Sequence, residues 1–246
     1  MTQASTYRRQ LWPSRQAAVQ AFKRSPFYGS WDPRVLDRFV NYGLRPLPTL
    51  LHPSKQDNDD VVTLVTPPDQ EVFTFSRPIY NNKNNNNKLI RDDEYPDIDP
   101  AHPTALIPLY RPENQLIFYA LPYIRPSVFF VFGSLSPVSS RELNEEKVRS
   151  TGTGVGGNGG VAAGRVGHVT LQGISHDCAK ESPSRCADAM SDWLISESRR
   201  WRDQDEAFRA MWSKKSIVEK STVDEQWKKL LPPPERPAKK NTGGKL

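Results

Sequence analysis

The chain is poor in cysteine, poor in histidine, and has no long apolar run. Cys178 and Cys186, its only cysteines, stand eight residues apart with no C-x-x-C. Two sparse thiols in a chain without a secretory leader are expected to be reduced rather than bridged. The histidines are His52, His102, His168 and His176, and no two of them have zinc-ligand spacing, so no metal is predicted. No stretch approaches the ~18 apolar residues of a membrane helix. The N-terminal MTQASTYRRQLWPSR lacks the apolar centre of a signal peptide. There is no G-x-x-x-x-G-K-[ST]. Formal net charge is +6, part of it in the tail PPPERPAKKNTGGKL. No basic stripe with interleaved aromatics accompanies that charge, so nucleic acid is not an expected partner.

What is present suggests a globular part diluted by loops. The 246 residues allow one large domain or two small ones, but hydrophobic residues make up only 36% and prolines number 22. The run TGTGVGGNGG at 151–160 contains G-x-G-x-x-G on Gly152, Gly154 and Gly157. A dinucleotide site requires a strand before these glycines and a helix opening on them. Here SSRELNEEKVRS before the run reads as a helix, with a serine cap, Glu142 early, and Lys147 and Arg149 late. RVGHVTLQG after it reads as a strand. The order is reversed, so the glycines are expected to be a connection and no cofactor is predicted.

Residues 14–28 read as a capped amphipathic helix with Ala18, Ala21 and Phe22 on one face. In WDPRVLDRFVNYGLR, Asp32 caps a second helix, Pro33 opens it and Gly43 ends it, with Val35, Leu36, Phe39 and Val40 inward. VVTLVTPP is a candidate strand, and QEVFTFSRPIY reads as either helix or strand. NNKNNNNKLIRDDEYPDIDPAHP is polar and Asn-rich, which predicts a disordered insertion. ALIPLYRPENQLIFYALPYI is read as a short helical or irregular approach. In RPSVFFVFGSLSP, Val128 to Phe132 form a continuous apolar run between Pro and Gly, which suggests a strand buried on both faces. With the helix from Ser139 and a strand over 166–171 it makes a strand–helix–strand unit. From Ser182 a strong helix carries Ala187, Met190, Trp193 and Leu194 at helical spacing, a stripe that ordinarily belongs to a core. A shorter helix is expected over 222–231.

Reactive groups in open α/β sheets collect at the carboxyl ends of strands. Two such ends are visible: GSLSP after Phe132, and GISHD after Leu171, with Ser175, His176 and Asp177. A histidine just past a last strand is where α/β-hydrolases keep their general base; by itself it also reads as a solvated loop residue. Ser175 sits in a damaged G-x-S-x-G, but its only following histidine is its immediate neighbour, and adjacent side chains diverge. It is not read as a nucleophile.

Together these segments resemble fungal α/β-hydrolases of the toxin-biosynthesis (AKT-toxin-like, often peroxisomal) group. The likeness runs through TYRRQLWPSRQAAVQAFKRSPFYGSWDPRVLDRFVNYGLRPLPT, VTLVTPPDQEVFTFSRP, VFFVFGSLSPVSS, STGTGVGGNGGVAAGRV and RRWRDQDEAFRAMWSKKS. It implies an α/β fold in which residues 1–60 are a helical lid and 61–80 an extended segment. The Asn-rich insertion would occupy 81–104, the core 105–231 and a basic disordered tail 232–246. The family loop after the last strand is of the type G-H-x-x-P-x-E. Here His176, Glu181 and the later Pro183 are kept, while the glycine has become Ser175 and the proline Ala179. The resemblance thus makes His176 the candidate general base. It also implies an apolar acyl substrate, with Trp12, Phe22, Phe27, Tyr28, Trp31 and Tyr42 lining a pocket or packing the lid.

The departures are large. The family's G-x-S-x-G and oxyanion segment precede the lid and have no counterpart here. The acid of G-x-x-D-P is replaced by Ser136 in GSLSP. The expectation is therefore a partial α/β-hydrolase fold lacking the first half of its sheet, with ester or thioester chemistry in the parent and little activity alone. A truncated hydrolase is the favoured origin. The alternative is a short protein that uses the same elements for binding. Gly244-Lys245-Leu246 resembles the S-K-L address read by the peroxisomal import receptor, or is a tail that happens to end in Lys-Leu. The expected location is cytoplasmic or peroxisomal.

Overall fold

A computed structural model describes residues 2–53, 60–76, 111–231 and 233–234. The Asn-rich segment at 81–104 and the terminal Gly244, Lys245 and Leu246 lie outside the described residues.

Local chemistry sets the first elements. After α1 (Thr2–Thr6) and β1 (Leu11–Trp12), Ser14 Oγ accepts the Ala17 N–H at 3.1 Å and opens α2 (Arg15–Arg24). The single helix expected over 14–28 is broken at Ser25, whose backbone is extended because Pro26 follows it. The chain restarts as α3 (Pro26–Gly29). The next helix, α4 (Pro33–Tyr42), matches its sequence signals: Asp32 accepts the Arg34 N–H at 2.9 Å, Pro33 is first, and Gly43 follows the last turn. The Arg15 guanidinium donates to the Val40 and Leu44 carbonyls and so satisfies the end of α4.

Three short strands close this region. β2 (Leu44–Pro46) and β1 flank β3 (Val62–Leu64) in an antiparallel sheet, with Leu11 opposite Thr63 and Leu44 opposite Leu64. Trp12, Ala18, Phe22, Tyr28, Trp31, Val40, Leu44, Val62 and Leu64 form one buried cluster. Most of its rings meet edge-on or tilted, with Phe22 and Tyr28 centroids 4.5 Å apart and Trp31 and Phe39 5.3 Å apart, while Tyr28 stacks on Phe39 at 5.5 Å. Of the segment expected to be extended over 61–80, the described residues 61–76 form the short strand β3 and then a helix, and 77–80 lie outside the described residues. Pro68 opens α5 (Pro68–Phe75), helped by Asp69 and Glu71 in the first turn, where carboxylates suit the helix dipole. Arg8 pairs with Glu71 at 2.6 Å, and Thr2 Oγ1 meets Ser76 Oγ at 3.0 Å, tying α1 to α5.

The α/β unit follows α6 (Pro112–Ala120) and a 3-10 turn (Leu121–Tyr123). It consists of β4 (Val128–Gly133), α7 (Arg141–Ser150) and β5 (Val166–Leu171). The strands are parallel, in register from Val128 opposite Val166 to Gly133 opposite Leu171. Ser140 Oγ caps α7 through the Leu143 N–H at 3.2 Å. The VFFVF run is a strand, as its composition predicts, but not one buried on both faces. Phe129, Phe130, Val131 and Phe132 are half-buried. Among the described residues β4 has one partner strand, and a two-stranded parallel sheet cannot cover both of its own faces.

The glycine run joins α7 to β5 and its amides are used internally. Those of Gly152, Gly154 and Gly159 donate to the carbonyls of Leu121, Pro122 and Gly152 at 2.8–2.9 Å, and that of Gly160 to Asn158 Oδ1 at 2.8 Å. A Cβ on Gly157 would stand 2.4 Å from the Gly152 carbonyl oxygen. Amides committed in this way form a tight connection rather than a phosphate cradle.

The chain continues through α8 (Cys178–Glu181) into α9 (Pro183–Lys214), α10 (Ile217–Ser221) and α11 (Glu225–Leu230). It divides within α9 into two compact units, Met1–Asp192 and Trp193–Leu246. In the second unit no described residue is buried. No described helix is long and apolar enough to cross a membrane.

Candidate active site

The carboxyl ends of β4 and β5 lie side by side, and the loops leaving them are knitted together. Ser134 N–H donates to the Leu171 carbonyl at 3.1 Å and Leu135 N–H to the Ile174 carbonyl at 2.9 Å. Gly173 N–H returns to Ser134 Oγ at 2.9 Å. The approach is close enough to require glycine: a Cβ on Gly133 would fall 1.8 Å from the Ser175 carbonyl oxygen.

This knitting brings His176 to Ser136. Ser136 Oγ and His176 Nδ1 are 3.1 Å apart, within hydrogen-bond distance. His176 is exposed and Ser136 half-buried. Among the described residues no carboxylate hydrogen-bonds the imidazole. The nearby Glu181 is committed elsewhere, since its carboxylate accepts the Ser175 N–H at 2.9 Å and the Ser175 hydroxyl. That closure holds the turn carrying His176 and leaves Ser175 paired to an acid rather than to the imidazole.

The same loop is fastened to the N-terminal helices. Asp32 N–H donates to the Lys180 carbonyl at 2.9 Å, and Arg34 Nη2 to Ser184 Oγ at 2.9 Å. The Lys180 ammonium lies 4.9 Å from the Trp31 ring centroid and 3.2 Å from Asp177. Hydrogen bonds to Arg34 hold the Asp32 carboxyl below its usual range. Behind the loop, Cys178 and Cys186 are free thiols buried against Leu171, and burial pushes both thiol pKa values up.

Two spaces reach His176. One, of about 460 Å³, is lined by Thr74, Phe75, Arg111, Asn114 and Val138. The other, of about 290 Å³, is lined by Val131, Cys178, Lys180, Cys186 and Met190. A larger groove of about 820 Å³ lies over Phe132, His168 and Thr170 against α7 and does not include His176. Among the described residues no three His, Cys, Asp or Glu side chains gather to hold a metal.

The aromatic residues singled out from the sequence fall elsewhere. Trp12, Phe22, Tyr28 and Trp31 are buried in their own cluster. Phe27 is half exposed against Tyr28 and Trp31, and Tyr42 is exposed with the Arg38 guanidinium 5.8 Å from its ring centroid. None of the six lines the spaces beside His176. Ser136 carries a sequence signal, its place at the end of a strand beside the one that bears the histidine. Lys180, Arg34 and Ser184 carry none, because their contacts join positions about 150 residues apart.

Sequence comparison finds similarity to fungal proteins. No family model matches the chain. It is 34% identical to the type I acyl-CoA thioesterase mpaH' of Penicillium brevicompactum, over 98% of this chain and 57% of the relative. It is 24% identical to the abhydrolase domain-containing protein AFT2-1 of Alternaria alternata, over 78% of this chain and 64% of that protein. It is 23% identical to AKT2 of the same fungus, also an abhydrolase domain-containing protein, over 93% and 79%. The chain is related to fungal proteins of the α/β-hydrolase type, and its strand–helix–strand unit is of the α/β class. It spans a little more than half the length of the thioesterases it matches.

Proposed function

We propose that these residues form the lid and C-terminal part of an acyl hydrolase acting on an ester or thioester in secondary metabolism, with His176 as general base. The observation that carries this reading is the imidazole at the tip of β5, held against the tip of the parallel strand β4. The thioesterase relatives support the substrate class. An acyl hydrolase needs a nucleophile on a sharp turn, and no serine of this sequence lies in G-x-S-x-G. Loss of a triad member costs roughly 10⁴-fold or more in rate. Residues 1–246 alone therefore turn over acyl-CoA weakly. The nucleophile belongs to polypeptide that pairs beyond β4, where the half-buried VFFVF run needs a further neighbour.

The test is thiol release from acyl-CoA by the chain alone, and by the chain co-expressed with the part of a Penicillium thioesterase that the alignment leaves uncovered. The expected result is weak release alone and strong release on complementation, lost in His176→Ala. Release that is strong without a partner and unchanged in His176→Ala would refute the proposal.

A further inference from the structure

We infer that Ser136 is itself an acylatable nucleophile, activated by His176, which gives these residues a slow reaction of their own toward activated acyl compounds. The inference rests on His176 acting as a base and goes beyond that reading in naming the hydroxyl. A serine hydroxyl is a weak nucleophile unless a base lies within hydrogen-bond reach, about 2.6–3.2 Å. Ser136 Oγ and His176 Nδ1 meet that condition at 3.1 Å.

The neighbouring serines are occupied differently. Ser134 Oγ accepts from Gly173 N–H, and Ser140 Oγ caps α7. Ser175 Oγ donates to the Glu181 carboxylate and so is turned away from the imidazole. Imidazole is the side chain most often used to take a proton from such a hydroxyl. Ser136 is also held firmly. Its N–H donates to the Gly133 carbonyl at 3.2 Å, Pro137 restricts the chain after it, and the turn leaves the carboxyl end of a strand. The space of about 460 Å³ beside His176, with Phe75 and Val138 as apolar wall and Arg111 and Asn114 as donors, offers room for a small acyl group.

With 4-nitrophenyl acetate the steps balance as follows. Ser136 Oγ attacks the carbonyl carbon as its proton passes to His176 Nδ1. The carbon–oxygen bond to the leaving group breaks, releasing 4-nitrophenolate and leaving acetyl-Ser136, and His176 gives up its proton to solvent. Water, deprotonated by His176, then attacks the acetyl carbon, acetate leaves, and the proton returns to Ser136. With no carboxylate to orient the imidazole, the rate falls about 10⁴-fold below that of a full triad. The reaction is therefore read with reactive probes, since turnover of acyl-CoA by these residues alone is weak.

The experiment treats the 246-residue chain with a fluorophosphonate probe and maps the label by mass spectrometry. The expected label is on Ser136, absent in Ser136→Ala, slowed at least about 10-fold in His176→Asn, and unchanged in Ser175→Ala. Ser136→Cys provides a second readout: iodoacetamide should alkylate residue 136 faster than a free thiol, and His176→Asn should remove that advantage. An unlabelled Ser136, or a label indifferent to His176→Asn, overturns the inference. If Ser136 is unlabelled while complemented acyl-CoA turnover still depends on His176, Ser136 only holds the ring and the general-base reading stands. If neither depends on His176, both fall.

Discussion

The N-terminal helical cluster, with buried residues from Trp12 to Leu64, and the strand pair β4–β5 treat similar apolar content in opposite ways. In the first, rings that are close in sequence fold onto one another. Trp12, Phe22, Tyr28 and Trp31 reach burial within about fifty residues, and the antiparallel strands close the cluster. In the second, the most apolar run of the chain stays only partly buried, and the buried positions of the strand pair are Gly133, Val166 and Leu171. Helices and hairpin-like strands can complete a core from local contacts. A parallel strand needs layers on both faces, and those come from distant chain. The N-terminal cluster therefore builds most of its core from local contacts, while the strand pair whose loops carry Ser136 and His176 leaves its apolar run partly open to water.

Phe22→Ala should break the comparison most severely. Removing a ring that touches Trp12, Tyr28 and Phe39 should cost about 3–5 kcal/mol in urea unfolding and unfold the N-terminal cluster. Gly133→Ala comes next, at about 1–3 kcal/mol, because the added Cβ meets the Ser175 carbonyl and drives the strand tips apart. It should also abolish the His176-dependent labelling while leaving the fluorescence of Trp12 and Trp31 unchanged. Phe130→Ala should cost less, about 1–3 kcal/mol, since the residue keeps part of its contact with water. A loss equal to that of Phe22→Ala would mean that the strand pair closes its own core.

The smallest effect concerns the cap of α4. Asp32→Ala should weaken protection of the first α4 amides against hydrogen exchange and loosen the link to Lys180. The Asp32 carboxyl is held below its usual range, first by its hydrogen bond to the Arg34 side chain and then by the Arg34 N–H. A depressed carboxyl contributes stability above its unfolded pKa and loses it as pH falls through the folded value. Exchange protection of α4 should therefore survive through the ordinary carboxylate range and decline only below it. Decline already at that range would deny Arg34 this role.

The sequence by itself determined the local elements. Asp32, Pro33 and Gly43 fixed the limits of α4, and Ser140 with Glu142 opened α7. The order helix–glycines–strand argued against a phosphate site before any amide partner was known. Those features depend on φ, ψ and capping chemistry within a few residues. Tertiary structure alone decided that Ser136 meets His176, that Glu181 takes the Ser175 hydroxyl, and that Asp32 and Arg34 grip the loop at Lys180 and Ser184. The reason is physical. Those contacts depend on the register of two parallel strands joined by a crossover and on where a separate helical cluster comes to rest, and neither is encoded by neighbours along the chain.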